Sequence, residues 1–256
     1  MEKIMDKKQY MPRIIDDTVD RYLATFGAVC IEGPKWCGKT WTSSYHSNSE
    51  ILIGDPANNF QNRSLAELSP ALVLEGETPR LIDEWQEVPS LWDAVRYTVD
   101  QRGRTGQFIL TGSATPKRKG ILHSGAGRIG KLHMRPMSLY ESGESSGMVS
   151  LQELCSGSLT PVMTGEVDLQ LLAKLTVRGG WPGNLKTRDE DISLLPNEYA
   201  IEFFHGLPPN NDIDIQEKMA KTRLNARSAR EVTCDLILES AARRSLLIEV
   251  TALPLV

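Results

Sequence analysis

The chain has 256 residues, of which 40% are hydrophobic and 24% charged, and its formal net charge at pH 7 is -4. These values are typical of a soluble globular protein of one or two domains, and the negative charge argues against sequence-independent nucleic-acid binding over the whole surface. No apolar run approaches the roughly 18 residues that a membrane span needs, so we expect a cytoplasmic protein with no membrane partner.

Short apolar runs typical of buried strands recur along the first half of the chain, and the segments between them are typical of helices or loops. The runs are residues 28–31, 51–53, 71–74, 80–82 and 108–111. Such alternation predicts a parallel sheet covered by helices on both faces, which is an α/β fold.

Helical patterns lie between the fourth and fifth runs and again in the second half of the chain. Ser90 is a candidate cap for a helix whose apolar stripe contains Leu91, Trp92, Val95 and Val99. The Ser/Gly/Glu-rich stretch 142–150 predicts a boundary between a first domain, 1–148, and a smaller, mostly helical region, 149–256. Within that region, residues 165–177 and 192–204 are predicted helices.

A glycine-rich run of eight residues follows the first strand-like stretch. It reads Gly33-Pro34-Lys35-Trp36-Cys37-Gly38-Lys39-Thr40, the phosphate-binding pattern G-x-x-x-x-G-K-T, with Trp41 directly after it. The glycines let backbone N–H groups close around a polyphosphate, and the start of the next helix favours negative charge. In this pattern Lys39 reaches the β- and γ-phosphates and Thr40 supplies a hydroxyl to Mg²⁺. We predict a nucleoside triphosphate site here; the alternative is a glycine-rich turn that matches by chance.

Two adjacent carboxylates, Asp83 and Glu84, end the fourth strand-like run. Beside a phosphate loop, Asp83 is expected to hold Mg²⁺ together with Thr40, and Glu84 is expected to polarise the attacking water. This assignment favours hydrolysis over transfer to an acceptor hydroxyl. The alternative is an ordinary solvated turn.

Polar groups after the fifth run complete the predicted site. Thr111 and Ser113 would project hydroxyls toward the γ-phosphate. Downstream, Arg128 and Arg135 are candidate cations for transition-state charge, from the same chain or from a neighbouring subunit. Either arginine is equally explained as a surface charge or an ion pair. The basic residues between 117 and 135 form a positive stretch that is suited to contact with DNA or with an acidic partner, and this stays an alternative to an ordinary solvated surface.

Together with their surroundings, these motifs resemble a prokaryotic family of AAA-type P-loop ATPases that carry a carboxy-terminal domain called DUF4143. The segments that carry the resemblance are 10–14 (YMPRI), 31–40 (IEGPKWCGKT), 74–86 (LEGETPRLIDEWQ), 108–114 (FILTGSA), 134–144 (MRPMSLYESGE) and 178–182 (RGGWP). The resemblance implies that Lys39 and Thr40 belong to the phosphate and Mg²⁺ site, Asp83 and Glu84 to the catalytic acidic pair, and residues 111–113 to a sensor strand.

The resemblance fades after about Tyr199, so a partial DUF4143-like region, divergent, frameshifted or truncated, is expected at 149–256. The leading interpretation is Mg²⁺-dependent ATP binding and hydrolysis that drives a conformational change. The alternative is a nucleotide-gated module that hydrolyses ATP negligibly and controls a DNA or protein contact. The sequence contains no N-K-x-D run, the motif that would indicate a GTPase. Assembly into a homo-oligomer is left as an open alternative.

Overall fold

The computed structural model describes residues 9–113, 123–157 and 168–195. Among these residues, one compact unit contains 9–113, 123–157 and 178–188, and a second contains 168–177 and 189–195. The predicted division into 1–148 and 149–256 stays a prediction, because the first unit takes up residues on both sides of it.

A five-stranded parallel sheet forms the centre of the first unit, in the order β2-β3-β4-β1-β5. The strands are β1 (Ala28–Gly33), β2 (Ser49–Leu52), β3 (Arg80–Asp83), β4 (Phe108–Ser113) and β5 (Ile129–His133). Since all five strands run in the same direction, their carboxyl ends meet at one edge of the sheet, where ligands bind in open α/β folds. The predicted α/β fold, a parallel sheet flanked by helices, is confirmed.

Helices precede the first strand, connect β1 to β2, β2 to β3 and β3 to β4, and follow the last strand. They are α1 (Asp16–Thr25), α2 (Lys39–Tyr45), α3 (Ala57–Leu68), α4 (Pro70–Val73), α5 (Ser90–Arg102), α6 (Leu151–Ser156) and α7 (Leu169–Arg178), with 3₁₀ turns at Trp85–Glu87, Pro182–Asn184 and Asp189–Leu194. None of the described helices has the length and apolarity needed to cross a membrane.

Both faces of the sheet are buried, because successive strand residues point to opposite sides. Along β1, Ala28 and Cys30 belong to one core cluster, which includes Trp92 of α5. Val29 and Ile31 belong to the cluster on the other face. This double burial explains why the strands read as continuous apolar runs.

Two of the predicted elements are corrected by the structure. Residues 71–74 were expected to form a strand, but Pro70–Val73 is a short helix, with the proline at a position where its fixed φ suits a helix start. In α5, Pro89 is the N-cap residue and no side-chain cap is formed, so Ser90 does not have the predicted capping role.

One strand was missed and two helices were predicted only in part. The strand β5 was not predicted, because its exposed Lys131 and His133 and the glycine at 130 weaken its apolar pattern. The predicted helix 165–177 corresponds to α7, and its first three residues lie outside the described structure. Of the predicted helix 192–204, the first three residues lie in a 3₁₀ turn, and those from 196 onward are not described.

We predict that Leu110→Ala lowers the free energy of unfolding by about 2–5 kcal/mol, because it opens a cavity in the central strand. Leu110 is fully buried between Cys30 of β1 and Ile82 of β3. Leu68→Ala is the matched control: Leu68 is 86% exposed, so the same truncation should change stability by only about 0.5 kcal/mol. Urea denaturation of both variants checks the difference, and similar losses would contradict this core.

Candidate nucleotide-binding site

The predicted phosphate loop joins β1 to α2 at the carboxyl edge of the sheet. Two loop residues have positive φ, Trp36 at 62° and Gly38 at 103°. Gly33 is required by close packing, because a Cβ there would lie 2.4 Å from the carbonyl oxygen of Met134. Cys37 is buried beside Met134 in the core, and burial raises the pKa of its thiol. Cys37 therefore contributes packing rather than a reactive thiolate.

The ammonium group of Lys39 turns back onto the loop itself. Its Nζ donates hydrogen bonds to the carbonyl oxygens of Gly33, at 3.0 Å, and Pro34, at 2.8 Å. The side chain is mostly buried, so these bonds replace the water it gives up. The cation is thus held inside the loop at the point where an anion would be received.

The carboxylate of Asp83 joins the phosphate loop to the sheet. Thr40 Oγ1, at the start of α2, donates a hydrogen bond to Asp83 Oδ1 at 2.9 Å, and Thr111 Oγ1 on β4 donates to the same oxygen. Burial raises the pKa of Asp83, while the two threonine hydroxyls and the charge of Lys39 act in the opposite direction. Three elements therefore meet at one buried carboxyl group.

Glu84 follows Asp83 in a left-handed conformation, with φ 56° and ψ 44°. Its N–H donates to Thr111 Oγ1 at 3.1 Å, and its carboxylate accepts a hydrogen bond from the side-chain amide of Gln86. Burial raises the pKa of Glu84, and the neighbouring charge of Asp83 raises it further. An unusual backbone conformation fixed by its neighbours is typical of a functional position.

A cavity of about 370 Å³ lies beside Glu84. It is lined by Lys35, Gly54, Phe60, Arg63, Glu84 and Glu87. Because it brings together a residue of the phosphate loop and one of the acidic pair, it offers space for a polar ligand between them. Arg63 is engaged at its rim by exposed ion pairs with Glu67 and Glu87.

The outer side of the phosphate loop is held by two residues that were quoted in the resemblance but given no role there. The guanidinium of Arg13 donates through Nη1 to the carbonyl oxygen of Cys37 at 2.8 Å, and Trp181 Nε1 donates to that of Lys35 at 3.1 Å. Their only sequence signal was membership of the quoted segments. Gln86, next to the acidic pair, was missed in the same way.

The structure thus brings together Lys39, Thr40, Asp83, Glu84 and Thr111. It does not bring Arg128 to them. The carbonyl oxygen of Arg128 accepts the N–H of Ala28 at the start of β1, and its guanidinium pairs with Asp100 at 2.8 Å. It therefore lies at the opposite edge of the sheet, which does not support a role in its own chain's site; a role toward a neighbouring subunit stays a prediction.

The remaining predicted residues are placed as follows. Trp36 and Trp41 are partly exposed, on the loop and on the first turn of α2. Ser113 ends β4 in register with Gly33, and its side chain lies outside the described structure. The backbone oxygen of Arg135 accepts a hydrogen bond from Arg13. Of the basic residues between 117 and 135, Lys117, Arg118 and Lys119 lie outside the described residues.

The donor set at Thr40 and Asp83 fits Mg²⁺. Both supply oxygen, the ligand that Mg²⁺ prefers, and this ion is usually bound by one or two carboxylates together with substrate phosphates. Within the described ranges there is no cluster of three or more His, Cys, Asp or Glu side chains suited to a metal ion. The oxygen donors of this candidate metal site are therefore the hydroxyl of Thr40 and the carboxylate of Asp83.

Comparison with known proteins agrees with this geometry. Residues 25–143 match the family model of an AAA domain, which supports a P-loop domain of the AAA ATPase type in that part of the chain. Two uncharacterised proteins, from Mycobacterium bovis and Mycobacterium tuberculosis, are each 31% identical over 178 residues, covering 68% of this chain and 34% of the relative. The chain spans about a third of the length of these curated relatives.

Solved structures are similar at lower identity. The Walker-type ATPase PABY2304 of Pyrococcus abyssi is 13% identical, with a TM-score of 0.46, over 90% of this chain and 80% of its own. PCH-2 of Caenorhabditis elegans is 14% identical, with a TM-score of 0.36, over 82% of this chain and 68% of its own.

We predict that Thr111→Val destabilises the protein by about 1–3 kcal/mol, because Asp83 loses a buried donor and the N–H of Glu84 loses its acceptor. Thr111→Ser keeps the hydroxyl and should retain most of the stability. Thermal and urea unfolding of the two variants checks this, and a valine variant as stable as the serine variant would show that the hydroxyl is not needed.

Proposed function

We propose that the protein binds ATP with Mg²⁺ and hydrolyses it. The observation that carries this proposal is the cluster in which Thr40 of the phosphate loop and Thr111 of β4 donate to the same oxygen of Asp83. This cluster links a phosphate-binding loop to a metal-binding carboxylate. The AAA domain match over residues 25–143 supports the same activity and membership of that ATPase family.

Each of the five residues that meet at the site has a distinct role in this proposal. The ammonium of Lys39 exchanges the carbonyl oxygens of Gly33 and Pro34 for phosphate oxygens. Thr40 and Asp83 would hold Mg²⁺, which supplies charge neutralisation at the phosphates when bound. Glu84 accepts a proton from the attacking water. Thr111 acts as a positioning residue, since its hydroxyl is engaged with the acidic pair.

The carboxylate of Glu84 favours hydrolysis over a purely gated binding module. It is half-buried at the wall of the cavity and accepts a hydrogen bond from the side-chain amide of Gln86, while the backbone N–H of Glu84 is bound by Thr111. A module that only senses occupancy has no need of a general base held in this way. The conformational change driven by hydrolysis, the DNA or protein partner, assembly of subunits, the DUF4143-like region and the cytoplasmic location stay predictions.

We predict that Lys39→Ala weakens ATP binding at least about tenfold, because a charge-assisted contact to phosphate is worth about 1.5–3 kcal/mol. Isothermal titration calorimetry measures the affinity. Lys186→Ala is the control, because Lys186 is an exposed lysine of the same unit and should bind ATP like the wild type. Unchanged affinity in a folded Lys39→Ala protein would show that the loop is not the nucleotide site.

We also predict that Glu84→Gln keeps ATP affinity while lowering turnover by about 10²-fold or more, as loss of a general base does. Asp83→Asn should instead weaken the dependence of activity on Mg²⁺. Glu67→Gln, a change of an exposed carboxylate that does not line the cavity, is the control and should keep most of the turnover. Negligible wild-type phosphate release with tight ATP binding would favour the gated module.

A further inference from the structure

The RGGWP segment, residues 178–182, lies far along the chain from the phosphate loop, yet belongs to the same compact unit. It is attached at several points. Arg178, which is almost fully buried, donates to Glu144 at 2.7 Å. The carbonyl oxygen of Gly180 accepts the N–H of Met137 at 2.6 Å. These contacts present the next side chain, Trp181, to the loop.

Gly180 is needed for this attachment. A Cβ at that position would lie 2.2 Å from the carbonyl oxygen of Met137, which is closer than any side chain tolerates. The segment therefore approaches the residues after β5 backbone to backbone. One residue later, the indole N–H of Trp181 reaches the carbonyl oxygen of Lys35 at 3.1 Å.

The bond from Trp181 orients a peptide group of the phosphate loop. In a planar trans peptide, the C=O and the N–H point in opposite directions. Because the carbonyl oxygen of Lys35 points to the indole of Trp181, the N–H of Trp36 points in the opposite direction within the peptide plane, toward the side of the loop away from Trp181. Loop N–H groups on that side are the ones that bind phosphate in this type of loop.

Arg13 holds a second peptide in the same way. Its Nη1 donates to the carbonyl of Cys37, and the same guanidinium donates to Glu141 and to the carbonyl of Arg135. The N–H of Gly38 is thereby directed away from Arg13. Two of the loop's peptide groups are thus set from outside, by residues that do not belong to the loop.

We propose that Trp181 is a positioning residue for phosphate binding: its indole N–H pre-orients the peptide between Lys35 and Trp36 for an incoming polyphosphate. This inference rests on the proposed function. Pre-orientation lowers the cost of ordering the loop when the ligand binds. Its effect should therefore appear in the affinity for phosphate groups, with or without a nucleoside.

The test compares Trp181→Phe, which keeps a ring and loses the donor, with Trp92→Phe. Trp92 offers a matched bond elsewhere, since its Nε1 donates to the carbonyl oxygen of His123 at 3.1 Å. Calorimetric titration with ATP and with pyrophosphate, in the presence of Mg²⁺, is combined with melting curves. We expect Trp181→Phe to bind both ligands about two- to tenfold more weakly, the effect of one neutral hydrogen bond. Trp92→Phe should bind both like the wild type.

Two results would overturn the inference while leaving the proposed function intact. One is a Trp181→Phe protein that binds ATP and pyrophosphate as tightly as the wild type. The other is an equal loss of affinity in Trp92→Phe, which would assign the effect to general destabilisation. If the wild type itself binds neither ligand, the proposed function fails and this inference fails with it.

Discussion

The buried carboxylate of Asp83 is the group on which the arrangement of the site depends. It ends β3 with 9% of the residue exposed, and a carboxylate in such a place is tolerated only where donors replace water. The donors are hydroxyls of Thr40 and Thr111, from α2 and β4. Loss of either would leave a poorly solvated charge. The need to satisfy one carboxylate therefore fixes the register of three elements at the carboxyl edge of the sheet.

A second constraint acts on the phosphate loop, whose function requires N–H groups on its inner side. Carbonyl oxygens must then face outward, where each needs a donor or water. Arg13 and Trp181 are those donors for Cys37 and Lys35. The loop is thus defined from two directions, by Lys39 from within and by these side chains from outside. Its glycines permit the conformation, and the outer donors select it.

The sequence predicted the parts of the fold that have a local signal. Four of the five apolar runs are strands, because double burial makes their patterns continuous. The prediction of a strand at 71–74 was wrong, because four consecutive apolar residues show no periodicity that distinguishes a strand from a helix. The loop and the acidic pair could be predicted because their chemistry is encoded in consecutive residues.

Contacts between distant residues had no such signal. Arg13 and Cys37 are 24 positions apart, and Lys35 and Trp181 are 146 apart; no spacing rule connects them. Arg128 shows that nearness in the sequence does not give position in the fold. A position shortly after the sensor strand suggested proximity to the site, but the residue precedes β5 and so lies at the amino edge of the sheet. The direction of the next strand, which the sequence did not reveal, decides between the two edges.

Arg13 and Trp181, the side chains that donate to the outward carbonyls of the phosphate loop, lie outside the segment that matches the AAA domain. The matched AAA domain covers residues 25–143, whereas Arg13 precedes it and Trp181 follows it. The sheet and the acidic pair are complete within the matched part, but the outward carbonyls of the phosphate loop are not satisfied by it. Because Trp181 follows α7 by three residues, the chain that holds Lys35 is continuous with a helix of the second unit. The residues that bind the outward carbonyls of the phosphate loop therefore lie on both sides of the matched domain in the sequence.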